Sequence, residues 1–438
     1  MKPWIVLGLG LCLLTQQAFA VDLMTVYQQA VTNAPALKSD AATNMAAAEG
    51  VPIGVAALLP QLSFTASENE SQVKNYAVSA NFQTQSYQFQ LSQQLINLNK
   101  VANVRNARAV AAAQAATFVS QQQAFIVTVA TDYFNILQAE DNLSSSFAQV
   151  DFLANTLKQT KQKFEVGLAT VTDLKQAEAN YDQAYATKLK NANALQDAYE
   201  VLDELTGQRE SNLAALKIKF PFVSPHPESD KHWIALAEKN NAALQSQRYT
   251  TMAALHNVTM QVGNQLPTLS LMGSYGNTRY SANVPSIIST TLSQKSAAIG
   301  LQLNWTVFAG GSLFGKSLQA AKQYEAAQNT EDNLYLSTIS QTKQDYLSVM
   351  ANISLVNAYR QSVIANKLSL QEYEAKYKVG AETTVNVLNA QQLLFVAQQN
   401  FAQAEYQYIL SALQLKLDTG TIGVSDLAYL NSWLQVPK

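Results

Sequence analysis

Apolar residues recur every three or four positions along two long stretches of this chain. The first stripe runs from Ile126 to Phe164, and the second runs from Ile339 to Tyr377, 213 residues later. Such spacing, kept over so many turns, is typical of helices packed as coiled coils. The pattern predicts two long helices, over residues 98–165 and 312–378, each about 100 Å long at about 1.5 Å per residue.

A different pattern, in which every second residue is apolar, precedes each long helix. This alternation predicts β-strands with one apolar face, here as hairpins over residues 61–97 and 268–309. The polar segments between the alternating runs, Glu68 to Gln83 and Gly276 to Ser296, are predicted to be loops, which leaves four short strands. The apolar side chains expected to face lipid are Tyr87, Phe89, Leu91, Leu301, Leu303 and Trp305.

The two halves of the chain repeat the same order of elements. Leu-Pro-x-Leu-Ser occurs at Leu59 and Leu266, where proline ends a helix before a strand, and Lys-aromatic-x-Val-Gly occurs at Lys163 and Lys376. Each copy is predicted as helix, hairpin, long helix, glycine turn and further helix. The predicted boundaries are a signal peptide (1–20), a first repeat (21–220, last helix 171–205), a proline-rich linker (221–229) and a second repeat (230–438, with a helix over 384–418 and a C-terminal segment).

Composition narrows the class of protein. A charged start at Lys2, an apolar stretch and Ala-Phe-Ala at residues 18–20 predict a secretory signal peptide, whose removal takes away the only cysteine, Cys12. Charged residues make up 14% of the chain, below the roughly 25% usual for globular domains. Acidic residues outnumber basic ones, which argues against a nucleic-acid partner. No apolar run beyond the predicted signal reaches the roughly 18 residues of a membrane-spanning helix.

No catalytic or metal-binding pattern emerges from the residues. The three histidines, His226, His232 and His256, have no ligand spacing around them. The chain has neither a phosphate-binding glycine loop nor a nucleophile elbow. We therefore expect a protein that is not an enzyme and that needs no metal and no cofactor.

The strands pose a physical problem that points to a pore. If a four-stranded sheet enters lipid, its edge strands leave backbone N–H and C=O groups without partners. Membrane barrels need at least about eight strands, so two copies of the chain would supply eight and three would supply twelve. A secreted coiled-coil structural protein or adhesin without a pore is the alternative, although a stalk needs no lipid-facing alternation.

Several segments resemble the TolC family of outer-membrane channel proteins over essentially the whole mature chain. They are Asn-Ala-Pro-Ala-Leu at residues 33–37, the two Leu-Pro-x-Leu-Ser strand entries, and the duplicated Val-Gly turns before Thr172 and Thr384. The resemblance implies a mainly α fold with a small β part and an internal two-fold repeat. Long antiparallel coiled-coil helices would form an α-barrel tunnel, and four strands per chain would contribute to a twelve-stranded transmembrane β-barrel in a homotrimer.

The function that this resemblance implies is a passive exit duct of a tripartite export system. The duct would lie in the outer membrane lipid of a Gram-negative bacterium, with most of the chain projecting into the periplasm. Drugs or other small molecules would reach it from an inner-membrane transporter through a periplasmic adaptor (membrane fusion) protein. Type I protein secretion through the same duct is an alternative that the sequence leaves open.

The resemblance also implies roles for individual residues near the glycine turns. The adaptor would contact the turns at Gly167 and Gly380. Carried over by position, Thr172 and Asp173 would bond to Tyr377 and Glu382 and form a periplasmic gate, and Asn386 and Asn389 would ring a lumen constriction. The family pattern has Arg at the position of Glu382 and Asp at the positions of Asn386 and Asn389. We therefore expect the gate pairing and any cation-binding ring to be altered in this chain.

Overall fold

The structure, a computed structural model, describes residues 21–74, 79–209, 212–217, 220–284 and 287–435. The predicted signal peptide (1–20) lies outside the described residues, as do the last three residues of the predicted C-terminal segment and short stretches of both predicted hairpins. The first copy of the repeat comprises α1 (Leu23–Asn33), α2 (Pro35–Ala56), β1 (Gln61–Lys74), β2 (Ser79–Ile96), α3 (Leu98–Glu165) and α4 (Val171–Thr206).

The second copy follows in the same order. After the short strand β3 (Ala215–Leu216) come α5 (Asp230–Asn240), α6 (Ala242–Gly263), β4 (Thr268–Val284), β5 (Ile287–Asn304), α7 (Ser312–Lys378) and α8 (Thr384–Asp418). The chain then adds α9 (Val424–Asn431) and β6 (Leu434–Gln435), which pairs with β3. The described helices contain no stretch that is both long and apolar enough to cross a membrane.

The first helix of each copy, expected to be continuous, is two helices. Ala34 lies between α1 and α2 with ψ of 116°, and Asn241 lies between α5 and α6 with ψ of 115°. In the first copy Pro35 forces this geometry, because proline excludes the α region for the residue before it. In the second copy the side chain of Asn241 accepts a hydrogen bond from the Leu244 N–H, which starts a new helix as an N-cap.

The strands are longer than the sequence predicted. β1, β2, β4 and β5 contain 14, 18, 17 and 18 residues and extend through most of the segments expected to be loops. They form one antiparallel sheet in the order β1-β2-β4-β5. Polar composition did not end these strands, because β2 and β4 have a neighbour on each side that satisfies their backbone groups. At the other end β5 stops at Asn304, so Trp305 lies just beyond the strand in which it was expected.

The chain packs as two compact units, and each contains segments from both copies of the repeat. One unit comprises the described residues up to Leu37, Gln122–Ala237 and those from Gln341 onward. The other comprises Lys38–Gln121 and Glu238–Ser340, and it includes the four-stranded sheet. The two copies of the repeat therefore share the same order of elements, but neither copy packs as a unit by itself.

The core of the first unit forms where α3 packs against the helices near the two ends of the described chain. Buried residues of α3 pack with α1, α4, α8 and α9. The side chain of Tyr133 is completely buried, and its hydroxyl donates to the Ala214 carbonyl at 2.7 Å and approaches the Val21 carbonyl at 3.3 Å. The largest buried side chains of this core include Tyr133, Phe134, Ile136, Leu137, Leu23, Leu202, Ile409 and Leu427.

The second unit brings its helices together through small residues. A Cβ added at Gly54 of α2 would lie 3.7 Å from the Ala107 Cβ of α3, and one added at Gly263 of α6 would lie 2.8 Å from the Asn99 backbone nitrogen. Amide side chains join the helices, as where Asn106 Nδ2 donates to the Ala253 carbonyl at 2.7 Å. The small side chains at the start of α3 therefore permit a close approach of these helices.

Replacing Tyr133 with Phe should weaken the first unit. Tyr133→Phe leaves the buried Ala214 carbonyl without its donor, which we expect to cost about 1–2 kcal/mol of unfolding free energy. Guanidinium unfolding in detergent would measure the loss. The control is Tyr335→Phe, which removes a hydroxyl bonded to Glu238 near the surface. Equal stability of Tyr133→Phe and the wild type would contradict the packing role of this hydrogen bond.

Candidate functional site

The turn between α3 and α4 is closed by backbone hydrogen bonds around Gly167. Gly167 has φ of +79°, a conformation that favours glycine, and its N–H donates to the Phe164 carbonyl at 3.0 Å. The Leu168 N–H donates to the Lys163 carbonyl at 2.7 Å. The neighbouring apolar side chains are exposed, Val166 by 69% and Leu168 by 78%. The turn therefore presents an apolar tip to its surroundings.

Asp173, predicted to belong to a gate, caps helix α4. Thr170 is the N-cap, and its hydroxyl accepts from the Asp173 N–H at 3.1 Å. The Asp173 carboxylate accepts in return from the Thr170 N–H at 3.0 Å and the Thr170 hydroxyl at 2.7 Å. These bonds, the backbone one first, lower the pKa of Asp173, which is therefore ionised at neutral pH. Thr172 lies exposed beside it in the first turn of the helix.

The turn between α7 and α8 has the same backbone but different side chains. Gly380 has φ of +76°, and the N–H groups of Gly380 and Ala381 donate to the carbonyls of Tyr377 and Lys376 at 3.1 and 2.9 Å. Asn386 takes the place of Asp173, but the Thr383 N–H donates to Glu382 and not to Asn386. Its Nδ2 instead donates to Glu382 at 2.6 Å.

Glu382 supplies the carboxylate that this second turn lacks at position 386. It accepts from the Thr383 N–H at 2.9 Å as well as from Asn386. These two hydrogen bonds, the backbone one first, lower the pKa of Glu382. Each turn therefore holds one ionised carboxylate that is occupied by its own helix start. Within the described part of the chain, no hydrogen bond joins Thr172 or Asp173 to Tyr377 or Glu382.

Tyr377 connects the two turns through a neighbouring cation. The ammonium of Lys163, in the last turn of α3, lies 3.8 Å from the centre of the Tyr377 ring, a cation–π distance. The Tyr377 hydroxyl accepts from the Thr384 hydroxyl at 3.2 Å. Tyr377 thus ties the end of α7 to the start of α8 and to α3. The sequence singled out Tyr377, but it gave no sign of the role of Lys163.

In the half of the sheet nearer the helices, the four strands have one apolar and one polar face. Phe64, Phe89, Tyr275 and Ala297 occupy one register across the four strands, so they share a face. The rings of Phe64 and Phe89 lie 4.8 Å apart. The next registers place Tyr87, Leu91, Leu301 and Leu303 on this face too, and the other face carries mainly Ser, Thr and Gln. Trp305, beyond the strand, is exposed, and its indole N–H donates to the Gln265 carbonyl.

The profile of a protein family described as "Outer membrane efflux protein" matches residues 26–208 and 233–421. The chain belongs to this family. It is 33% identical to the outer membrane protein TolC of Vibrio cholerae over 97% of this chain and 96% of that protein. It is 26% identical to the alkaline protease secretion protein AprF of Pseudomonas aeruginosa, over 96% and 89% of the two chains. Its family and these relatives together identify this efflux protein as an outer-membrane exit duct.

Solved structures support the same fold. The Campylobacter jejuni CmeC outer membrane channel superimposes on this efflux protein with a TM-score of 0.78, at 18% identity, over 94% of this chain and 89% of that one. Because the identity is low, this likeness concerns the arrangement of helices and strands. The predicted fold class, an α-barrel tunnel combined with a β-barrel, is confirmed by such channel structures.

The sequence did not predict a polar cleft that lies near the glycine turns. It has a volume of about 450 Å³ and lies among α3, α4 and α8. Asn389, one of the two predicted lumen residues, lines it, whereas Asn386 bonds to Glu382 at the turn. The signal that could have revealed the cleft is the spacing of polar residues on one face of α4 at three and four positions. Its amide side chains are Gln149, Gln176, Asn180, Gln183, Asn389, Gln391, Gln392 and Gln399.

A pair of acidic side chains joins α7 to the end of α8 within the first unit. Burial, followed by a hydrogen bond with Asp345, raises the pKa of Asp418 to about 8. Amide groups support both carboxyls, since Gln341 donates to Asp345 at 3.0 Å and Gln414 donates to Asp418 at 2.9 Å. The two carboxyls therefore share a proton at neutral pH. Within the described residues, no group of three or more His, Cys, Asp and Glu is placed to hold a metal ion.

This shared proton should make the efflux protein less stable as the pH rises. The folded chain keeps the Asp418 proton up to about pH 8, whereas an ordinary Asp loses it near its pKa of 3.8. The stabilisation is therefore complete below pH 4 and is lost as the pH rises towards 8. Because Asp418 is part-exposed, we expect a loss of only about 2 kcal/mol between pH 5 and 8, read from guanidinium unfolding.

Asp418→Asn isolates this effect, because an amide keeps the hydrogen bond to Asp345 without a titrating proton. The variant should show a flatter pH dependence and higher stability than the wild type at pH 8. Asp182→Asn, at an exposed position of α4, is the control and should follow the wild type. A pH profile of Asp418→Asn that matches the wild type would contradict the shared proton.

Proposed function

We propose that three copies of this chain close one duct through the outer membrane. The observation that carries the proposal is the four-stranded sheet, which has one apolar face and ends in β1 and β5. In lipid the outer edges of β1 and β5 need partners. If β5 of one copy pairs with β1 of the next, three copies give twelve strands, within the range of membrane barrels. The resemblance to the TolC family favours three copies over two.

The two sheet faces fit the two environments of such a barrel. The apolar side chains of Tyr87, Phe89, Leu91, Leu301 and Leu303 face lipid, and Trp305 lies at the membrane interface, where tryptophan is favoured. The Ser, Thr and Gln side chains of the other face line the water-filled interior. Most of the remaining chain is helical and projects into the periplasm.

The glycine turns form the periplasmic end of the duct and its docking surface. The exposed apolar side chains around Gly167 and Gly380, among them Leu168 and Val379, each 78% exposed, need a partner to cover them. A periplasmic adaptor that is itself bound to an inner-membrane transporter supplies that partner.

The gate lies at the same end. Between neighbouring chains of the trimer, Thr172 and Asp173 of one turn meet Tyr377 and Glu382 of another. The start of α8, with Asn386 and Asn389, narrows the lumen. The local bonds of Asp173 and Glu382 bring those carboxylates to the turn surface in fixed positions. Lys163, held on the Tyr377 ring, offsets part of the negative charge there.

Two cargo classes are consistent with this duct. Small molecules such as drugs are the first, by likeness to TolC proteins and to the efflux family as a whole. Secreted proteins are the second, because the relatives include a protease secretion protein of Pseudomonas aeruginosa. A deletion strain complemented with the wild-type gene separates the two, because drug sensitivity reports small-molecule export and the culture medium reports a secreted protein.

Single-channel conductance of the purified oligomer in a planar bilayer tests the pore and its gate. We expect small steps from the wild type and steps larger by about two- to fivefold from Asp173→Asn combined with Tyr377→Phe, because the gate bonds between copies are lost. Asn is chosen at position 173 because Asn386 already occupies the equivalent helix start. No conductance from correctly inserted oligomer would refute the duct.

The control for the gate is a pair of equally conservative changes on α4. Asp182→Asn with Tyr185→Phe alters two exposed side chains of that helix away from the turn. It should leave the conductance at the wild-type level. If the control and the gate variant raise conductance equally, the gate residues have been assigned to the wrong place.

A further inference from the structure

The polarity of both sheet faces inverts toward the hairpin turns. On the face of Phe64, Phe89 and Leu301, the side chains beyond Ala66 and Tyr87 are charged or polar. Gln83 and Gln85 both donate to the carboxylate of Glu68 on this face, the second at 3.1 Å. The polar side chains at this end are Glu68, Glu70, Gln72, Gln83, Gln85, Arg279 and Lys295.

The opposite face changes in the other direction. It carries mainly Ser, Thr and Gln as far as Ser86, and from the register of Thr84 onward large apolar side chains appear on it beside Asn69 and Ser71. Phe82 pairs with Ser71 and Ala282, and Tyr280 pairs with Thr84 and Leu292. The two rings therefore lie on adjacent strands at diagonal positions, two residues apart along the strands. We call Val73, Phe82, Tyr280 and Leu292 the apolar collar. All four side chains are exposed in the single chain.

A slip in strand pairing does not cause the inversion. A shift by one residue would exchange the two faces of a strand. The pairing of β1 with β2 continues in one register from Gln61 to Lys74, and that of β2 with β4 continues from Asn81 to Gln94. The collar and the polar wall below it are therefore on the same face, and the change of polarity comes from the sequence.

We propose that the apolar collars of three copies face one another and narrow the outer mouth of the duct. This inference rests on the proposed trimeric barrel. Where the outward face becomes charged, the strands have left the hydrocarbon, so the sheet there has water outside. The apolar side chains on its inner face then line one narrowed passage together with the same side chains of the other two copies.

The dimensions of the barrel let these side chains narrow the passage. Twelve strands about 4.8 Å apart and tilted by about 40° enclose a backbone diameter of about 24 Å. Phe82 and Tyr280, projecting inward from three sides, take up a large part of that width. The collar then acts as an apolar constriction, which holds back bulky hydrated solutes more than small ones.

Cysteine labelling of intact cells from outside tests the constriction. Gln88→Cys places a thiol on the polar inner wall, about 20 Å below Phe82 at about 3.3 Å per residue. Gln72→Cys places the matched thiol on the charged outer face near the hairpin end. A small maleimide should label both, whereas a large polyethylene-glycol maleimide should label Gln88→Cys at least about tenfold more slowly than Gln72→Cys.

Opening the collar should remove this difference. Phe82→Ser with Leu292→Ser, added to Gln88→Cys, should bring labelling by the large reagent to within about twofold of Gln72→Cys. Phe82→Leu with Leu292→Phe keeps the collar apolar and should keep the labelling slow. Heat-resistant oligomers on gels would verify that each variant assembles.

Two results would overturn the collar while leaving the duct intact. One is rapid labelling of Gln88→Cys by the large reagent in the unaltered collar, and the other is slow labelling that the two serines do not relieve. The proposed duct itself fails under a different outcome. If the small reagent labels Gln72→Cys but never reaches Gln88→Cys, the polar face does not line an interior open to the outside, and both proposals are refuted.

Discussion

A β-strand in hydrocarbon must have a hydrogen-bond partner for every backbone N–H and C=O group, and this requirement governs the rest of the molecule. The sheet satisfies it internally for β2 and β4 but ends in β1 and β5. Other copies of the chain must supply the missing partners, and in the proposed trimer each chain contributes one third of the closed barrel. Because each copy brings its helices with it, closure of the sheet also sets how many helices surround the tunnel.

The same four strands meet different environments along their length. Near the helices they offer apolar side chains to one side and amides and hydroxyls to the other, as a wall between lipid and water requires. Toward the hairpin turns Glu68 and Arg279 replace Phe64 and Tyr275 on the outer side, and Phe82 and Tyr280 replace Gln88 and Ser274 on the inner side. A strand can change environment in this way without any change in its backbone.

The two glycine turns share one backbone conformation but differ in their side chains. Gly167 and Gly380 make equivalent hydrogen bonds, yet the capping carboxylate comes from Asp173 in one helix start and from Glu382, through Asn386, in the other. A substitution that breaks the family pattern is thus offset within four residues. The second helix start therefore has an amide at position 386, and its carboxylate stands at Glu382 in the turn instead.

Much of the architecture follows from the sequence alone, because it depends on local periodicity. The apolar stripe from Ile126 to Phe164 and its repeat specify α3 and α7, and the glycines at 167 and 380 specify turns that other residues adopt only with strain. The apolar face of the strands followed from alternation, since side chains on a strand alternate strictly between faces.

Tertiary structure decided what local patterns could not. The polar strand halves remain strands because neighbouring strands occupy their backbone groups, a fact that composition does not carry. Lys163 reaches Tyr377, and Asp418 reaches Asp345, only because helices far apart in sequence pack side by side. The collar too depends on register, which places Phe82 beside Tyr280 across two strands. Periodicity fixes which face a side chain takes, but only packing fixes its neighbours.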